Sequence, residues 1–152
     1  MPGAEVEFEG LAQAAYRTGQ TRLSGDADLV MAAAKVLESS DRPLILAGGG
    51  VVWSQASEEV IRMADVLGAP VITTYGHADA VPNGYERFLG HLGRLGSLEG
   101  IEAVRSADVI LAVGTRLGQS STFFDNRYMQ SKHVSLKYAR PHAPRGAFTA
   151  YD

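Results

Sequence analysis

Three short apolar runs constrain this chain more than any other feature: Leu44-Ile45-Leu46-Ala47, Pro70-Val71-Ile72-Thr73-Thr74 and Asp108-Val109-Ile110-Leu111-Ala112-Val113. Each is too short for a helix, and the first and third run straight into glycine, so each reads as a buried strand. Between them, apolar residues recur at helical spacing. Ala56, Val60, Ile61, Ala64 and Leu67 mark one face of a helix of about four turns after Gly50, and Gly68 stands where a helix end takes left-handed backbone. Leu29, Val30, Ala33, Ala34 and Leu37 mark an earlier helix, capped by Asp26 and ending near Ser39–Ser40. Ser97 caps a shorter one through about Ser106, with Ile101 and Val104 turned inward. Strands alternating with helices predict an α/β fold of three layers around a mostly parallel sheet.

The remaining segments are less regular. Residues 75–96 hold Gly76, Gly84, Gly90, Gly93 and Gly96 with Pro82 and no clear period, which predicts a long irregular connection of the functional kind. His133 to Tyr138 alternates polar and apolar residues, as a half-exposed edge strand does. Residues 1–25 are acidic, then polar, and read as a linker; 26–138 read as the domain and 139–152 as an irregular basic tail.

Composition narrows the function. The 152 residues, 45% hydrophobic and 20% charged, suit one globular domain. There is no cysteine, so thiolate nucleophiles, thiolate metal sites and disulfides are excluded. A net charge of −3 argues against a nucleic-acid or anionic-membrane partner. No signal-peptide pattern or membrane-length apolar run occurs, and the default expectation is a cytoplasmic location. The charge is uneven: residues 1–125 carry 9 Lys and Arg against 16 Asp and Glu, whereas 126–151 carry only Arg127, Lys132, Lys137, Arg140 and Arg145.

Two glycine turns carry the chemistry that the residues themselves suggest. Gly48-Gly49-Gly50 ends a strand and opens a helix, the usual setting for a phosphate. Trp53 replaces the third glycine of G-x-G-x-x-G and no Lys-Ser/Thr follows, so neither the dinucleotide fingerprint nor the P-loop is complete. Nucleotide contact and plain turn geometry remain equally open. Gly114-Thr115-Arg116 ends another strand, where open α/β sheets bind ligands. There Arg116 either clamps a phosphate or carboxylate or pairs with Asp108 or Asp125. His77 and His91 are candidate proton donors on the glycine-rich connection, but no nucleophile or metal-ligand spacing accompanies them. Glu58 and Glu59 complement a helix dipole.

Taken in order, "RPLILAGGGVVWSQASEEVIRMADVLGAPVITTYGHADAVP" (42–82), "FLGHLGRLGS" (88–97) and "SADVILAVGTRLG" (106–118) resemble the central domain of thiamine-diphosphate-dependent enzymes. "GHADAVPN" and "TFFDNRY" lean toward the sulfoacetaldehyde acetyltransferase type within the acetolactate synthase branch. The resemblance implies a parent lyase or acyltransferase acting on 2-oxo acids or sulfoacetaldehyde, homo-oligomeric, with thiamine diphosphate and magnesium held by flanking pyrimidine- and diphosphate-binding domains. This chain lacks the G-D-G motif of the latter, since Gly25-Asp26 is followed by Ala27. The resemblance therefore implies a structural domain with no catalytic residue of its own. FAD is implied in the acetolactate synthase branch, and ADP, coenzyme A or nothing in others. The positions matching the FAD-contacting segments are Gly48, Gly49, Gly50, Thr73, Thr74, Leu89, Gly90, Gly114 and Arg116. A stand-alone FAD- or ADP-binding regulatory module is the alternative. The resemblance fades after about residue 130, where an I-D-I-D-P strand end is expected and "HVSLKYARPHAPRG" stands instead. The expectation is a truncated or out-of-frame continuation that leaves one or two strands without partners.

Overall fold

The computed structural model describes residues 25–93, 95–117 and 121, together with the strands at 132–136 and 148–151. The elements run α1 (Ala27–Glu38), β1 (Pro43–Ala47), α2 (Gly49–Trp53), α3 (Ser57–Leu67), β2 (Val71–Thr74), a 3₁₀ turn (Ala78–Ala80), β3 (Phe88–Leu92), α4 (Leu98–Ser106), β4 (Val109–Val113), β5 (Lys132–Leu136) and β6 (Phe148–Tyr151). The expected linker at 1–25 lies outside the described residues apart from its last position.

One six-stranded sheet has the order β3-β2-β1-β4-β5-β6. Its first five strands are parallel, and β6 runs antiparallel to β5. β1 lies at the centre, pairing Ala47 with Thr73 of β2 on one side and with Val113 of β4 on the other. Strand alternation divides the core. Ile45, Ala47, Val71 and Leu111 pack with Ala33 and Leu37 of α1, Val51 of α2, and Val60 and Ala64 of α3. Leu44, Leu46, Ile72 and Ile110 pack with Val104 of α4. The three-layer α/β architecture is the one expected.

The helix ends follow the capping residues. Asp26 accepts bonds from Asp28 N and Leu29 N at 3.0 and 3.2 Å, and Ser97 accepts from Gly100 N at 3.1 Å. Gly68 closes α3 at φ 61°, in the left-handed region. At the N-terminal end of β4, Asp108 ties that strand to the entry of β1. Its carboxylate accepts from Ser40 Oγ at 2.5 Å, Asp41 N at 2.8 Å and Arg42 N at 3.0 Å. These bonds, with the Ser40 hydroxyl contributing most, hold its pKa at about 2.

Four expectations need correction. The helix after Gly50 is two helices, because Gln55 takes φ 53° between α2 and α3. The connection at 75–96 contains the edge strand β3. Its alternation is hidden by a bulge, since the register with β2 shifts between Val71 and Thr73 where Gly90 adopts φ 96°. The strand expected at His133–Tyr138 forms at Lys132–Leu136 and is not an edge, being paired on both sides. The tail is not wholly irregular: Phe148-Thr149-Ala150-Tyr151, rich in strand-forming residues, supplies β6 and covers β5.

Candidate functional site

Because β1 is flanked by β2 and β4 in matched register, the turns that leave these three strands emerge side by side. The chain reverses its direction of sheet growth between β1 and β4, the switch point at which open α/β sheets take ligands. The turns are Gly48–Gly50, Tyr75–His77 and Gly114–Arg116.

The first and third turns are bonded to each other. Gly48 N donates to Val113 O at 2.9 Å and Gly50 N to Gly114 O at 2.8 Å, while Val51 N returns to Gly48 O at 3.0 Å. A β-carbon on Gly48 would lie 2.7 Å from both Gly114 O and Thr115 Cβ, and one on Gly50 would lie 2.6 Å from Gly114 Cα. None of Gly48, Gly49 and Gly50 has a positive φ. Close approach of two backbones, rather than a left-handed turn, is what requires them. Two of the three N–H groups expected to face a phosphate are thereby committed to carbonyls of the β4 end. Trp53, in the place of the third fingerprint glycine, is the exposed last residue of α2 and has no close helix–strand packing to permit.

The second turn closes over the first from the β2 side. A β-carbon on Gly49 would lie 2.6 Å from His77 Cε1 and 2.7 Å from Nε2, so the bare Gly49 is a seat for the half-buried imidazole. His77 N donates to Thr74 O, and Ala80 N donates to His77 O, both at 3.1 Å, which fixes the backbone on either side of the ring. On the third turn Thr115 is buried and accepts from Leu117 N at 3.1 Å. Arg116 is exposed. The Asp108 considered as its partner lies at the other end of β4, engaged with Ser40, Asp41 and Arg42. Asp125 lies outside the described residues.

Of the nine candidate positions, Gly48, Gly49, Gly50, Gly114 and Arg116 belong to these joined turns. Thr73 and Thr74 are buried at the adjoining end of β2. Leu89 and Gly90 face elsewhere: Leu89 packs with the core under α4, and a β-carbon on Gly90 would lie 2.7 Å from Ser97 Oγ. Thr73 and His91 are register partners, and Thr73 Oγ1 and His91 Nδ1 are both buried without a hydrogen-bond partner. Tyr75 sets its ring edge-on to His91 with centroids 6.0 Å apart. Glu58 and Glu59 are engaged with Arg62 along α3 and take no part in the crevice. Thr115 is the residue that reading the motif misses; a Thr two positions before a turn amide is the signal that marks it.

The residues present do not fit magnesium diphosphate. Asp26, in the nearest approach to G-D-G, spends its carboxylate on the α1 cap. Among the described residues no three His, Asp or Glu side chains cluster to hold a metal.

The family model for the thiamine pyrophosphate enzyme central domain matches residues 30–142. The chain belongs to that family. It is similar to the sulfoacetaldehyde acetyltransferase of Castellaniella defragrans, at 43% identity over 98 residues, which cover 64% of this chain and 16% of that protein. It also resembles a protein named "Probable acetolactate synthase large subunit" from Methanocaldococcus jannaschii, at 41% over 90 residues covering 59% of this chain and 15% of that one. A third relative is the 3D-(3,5/4)-trihydroxycyclohexane-1,2-dione hydrolase of Bacillus velezensis, at 35% over 115 residues, 73% of this chain and 18% of that protein. The chain thus spans less than a fifth of the length of the curated relatives it matches. Among the described residues no helix is long and apolar enough to cross a membrane.

Proposed function

We propose that this chain serves as the middle domain of a thiamine-diphosphate-dependent acyltransferase or lyase acting on sulfoacetaldehyde or a 2-oxo acid. It acts as a scaffold: it joins a pyrimidine-binding and a diphosphate-binding domain, which hold thiamine diphosphate and magnesium, and takes a nucleotide such as FAD or ADP at its strand ends. The parent is a homo-oligomer. In that enzyme the bound thiamine diphosphate supplies the carbanion chemistry. The observation that carries the reading is the bonding of the Gly48–Gly50 turn to the Gly114 turn. It ties the turns of the switch point into one floor, and the stretches 47–50, 74–77 and 113–117 that form it carry no carboxylate or thiol. Replacing the matching segment of the Castellaniella defragrans enzyme with residues 26–138 tests the role. Acetyl transfer restored in the chimera supports it, and a folded but inactive chimera counts against it.

The second reading is a stand-alone FAD- or ADP-binding regulatory module, favoured by the unpartnered Thr73 Oγ1 and His91 Nδ1. Calorimetry of FAD and ADP with the isolated chain separates the two. Micromolar binding with no help from other domains favours the module.

A further inference from the structure

The three turns at the switch point share one electrostatic character. From Ala47 to Gly50, from Thr74 to His77 and from Val113 to Leu117 there is no carboxylate. The ionisable side chains there are His77, Arg116 and the weakly acidic Tyr75. Among the described residues neither His77 nor Arg116 forms an ion pair; those present involve Arg62 and Arg87, at α3 and before β3. The fixed charge of Arg116 and the hydrogen-bonding imidazole of His77, over turns with no carboxylate before Asp79, favour an anion.

His77 is the more constrained of the two. Its backbone is bonded on both sides, and the missing β-carbon of Gly49 lets the imidazole settle onto the neighbouring turn. Among the described residues no protein group is hydrogen-bonded to its ring nitrogens. The imidazole packs on Gly49 through the side that carries Cε1 and its two nitrogens, with neither nitrogen bonded to protein among the described residues, and so stands at the crevice with hydrogen-bonding capacity unspent. Resting on the reading of the crevice as a nucleotide site, we propose that His77, seated on Gly49, is a specificity-determining residue that selects ligands carrying a diphosphate. The contact is a hydrogen bond from the imidazole to a phosphate oxygen, with Arg116 on the far side of the same floor.

The test is calorimetric titration of the full 152-residue chain with ADP, adenosine and inorganic phosphate. ADP is expected to bind at least about tenfold more tightly than adenosine, the scale of one charge-assisted hydrogen bond. His77→Ala abolishes most of that preference and leaves adenosine binding unchanged. Gly49→Ala, which pushes the ring off its seat, reproduces the effect with the imidazole still present. Far-ultraviolet circular dichroism and the melting curve show that each variant is folded. If ADP keeps its full preference in a folded His77→Ala variant, the role of His77 is overturned while the nucleotide site stands. If neither ADP nor adenosine binds the native chain, the nucleotide site and this inference fall together. Inorganic phosphate binding as tightly as ADP overturns selection of a nucleoside diphosphate in favour of a free anion.

Discussion

Gly50 and Gly114 approach so closely that neither has room for a β-carbon. One built on Gly50 falls 2.6 Å from Gly114 Cα, and one built on Gly114 falls 2.7 Å from Gly50 Cα. Both neighbours are backbone, so neither can yield by changing a rotamer. Gly114→Ala also forces a side chain onto φ 61°. Its expected cost is about 3 kcal/mol of stability, read from urea unfolding. Gly76→Ala is the control, because Gly76 has φ 83° but nothing within 4 Å of a built β-carbon. It should cost about 1 kcal/mol, the conformational penalty alone.

Asp108 gives the fold an acid-sensitive joint. Its pKa is lowered to about 2, chiefly by the Ser40 hydroxyl and further by the Asp41 and Arg42 amides. The folded state therefore binds the proton less readily than the unfolded chain, so the contribution is fully present above about pH 4 and lost as pH falls toward 2. Asp108→Asn should destabilise the protein by about 2 kcal/mol at neutral pH and flatten the acid limb of its stability profile. An unchanged acid limb would show that other carboxylates set it.

Tyr85 behaves in the opposite sense. Burial, then its hydrogen bond to Asp65 at 2.7 Å, raises its pKa to about 12. Its contribution is present below about pH 10 and lost as pH rises toward 12. Tyr85→Phe should cost about 1 kcal/mol. In a difference titration followed by tyrosinate absorbance, it should remove a late-ionising phenol.

Ser97 joins two elements through one oxygen. Its hydroxyl donates to Leu89 O on β3 and accepts from Gly100 N in the first turn of α4. Ser97→Ala should cost about 1–2 kcal/mol. The loss should appear as faster hydrogen exchange in α4 and at the β3 edge; exchange confined to the helix end would show that the link to Leu89 contributes nothing.

The elements legible in the sequence were those whose local signals agree with their tertiary role. β1, β2 and β4 are buried on both faces and read as buried strands, and Asp26, Ser97 and Gly68 cap as their types predict. β3 was hidden because Gly90 and the bulge disrupt its alternation. The break at Gln55 left no trace, since the apolar face of α3 begins again directly after it. At the candidate site, the positions of Gly48–Gly50 and Gly114 were visible but their reason was not. Two turns far apart in sequence need glycine because of each other, and that relation exists only once β1 and β4 are paired. The seat of His77 on Gly49 is equally a product of strand pairing.

The strand order carries a kinetic consequence. Starting from β1, the chain lays down β2 and β3 on one side and only then crosses, through α4, to place β4 on the other. The β1–β2 unit closes a shorter loop than the β1–β4 pairing, so it has the lower entropic barrier. The Asp108 joint and the paired glycine turns both await that crossing, and so are expected to form after the β1–β2 unit. Weakening either should leave the folding rate nearly unchanged and accelerate unfolding. On this ordering the protein's lifetime, more than its speed of folding, should depend on the junction where β4 meets β1.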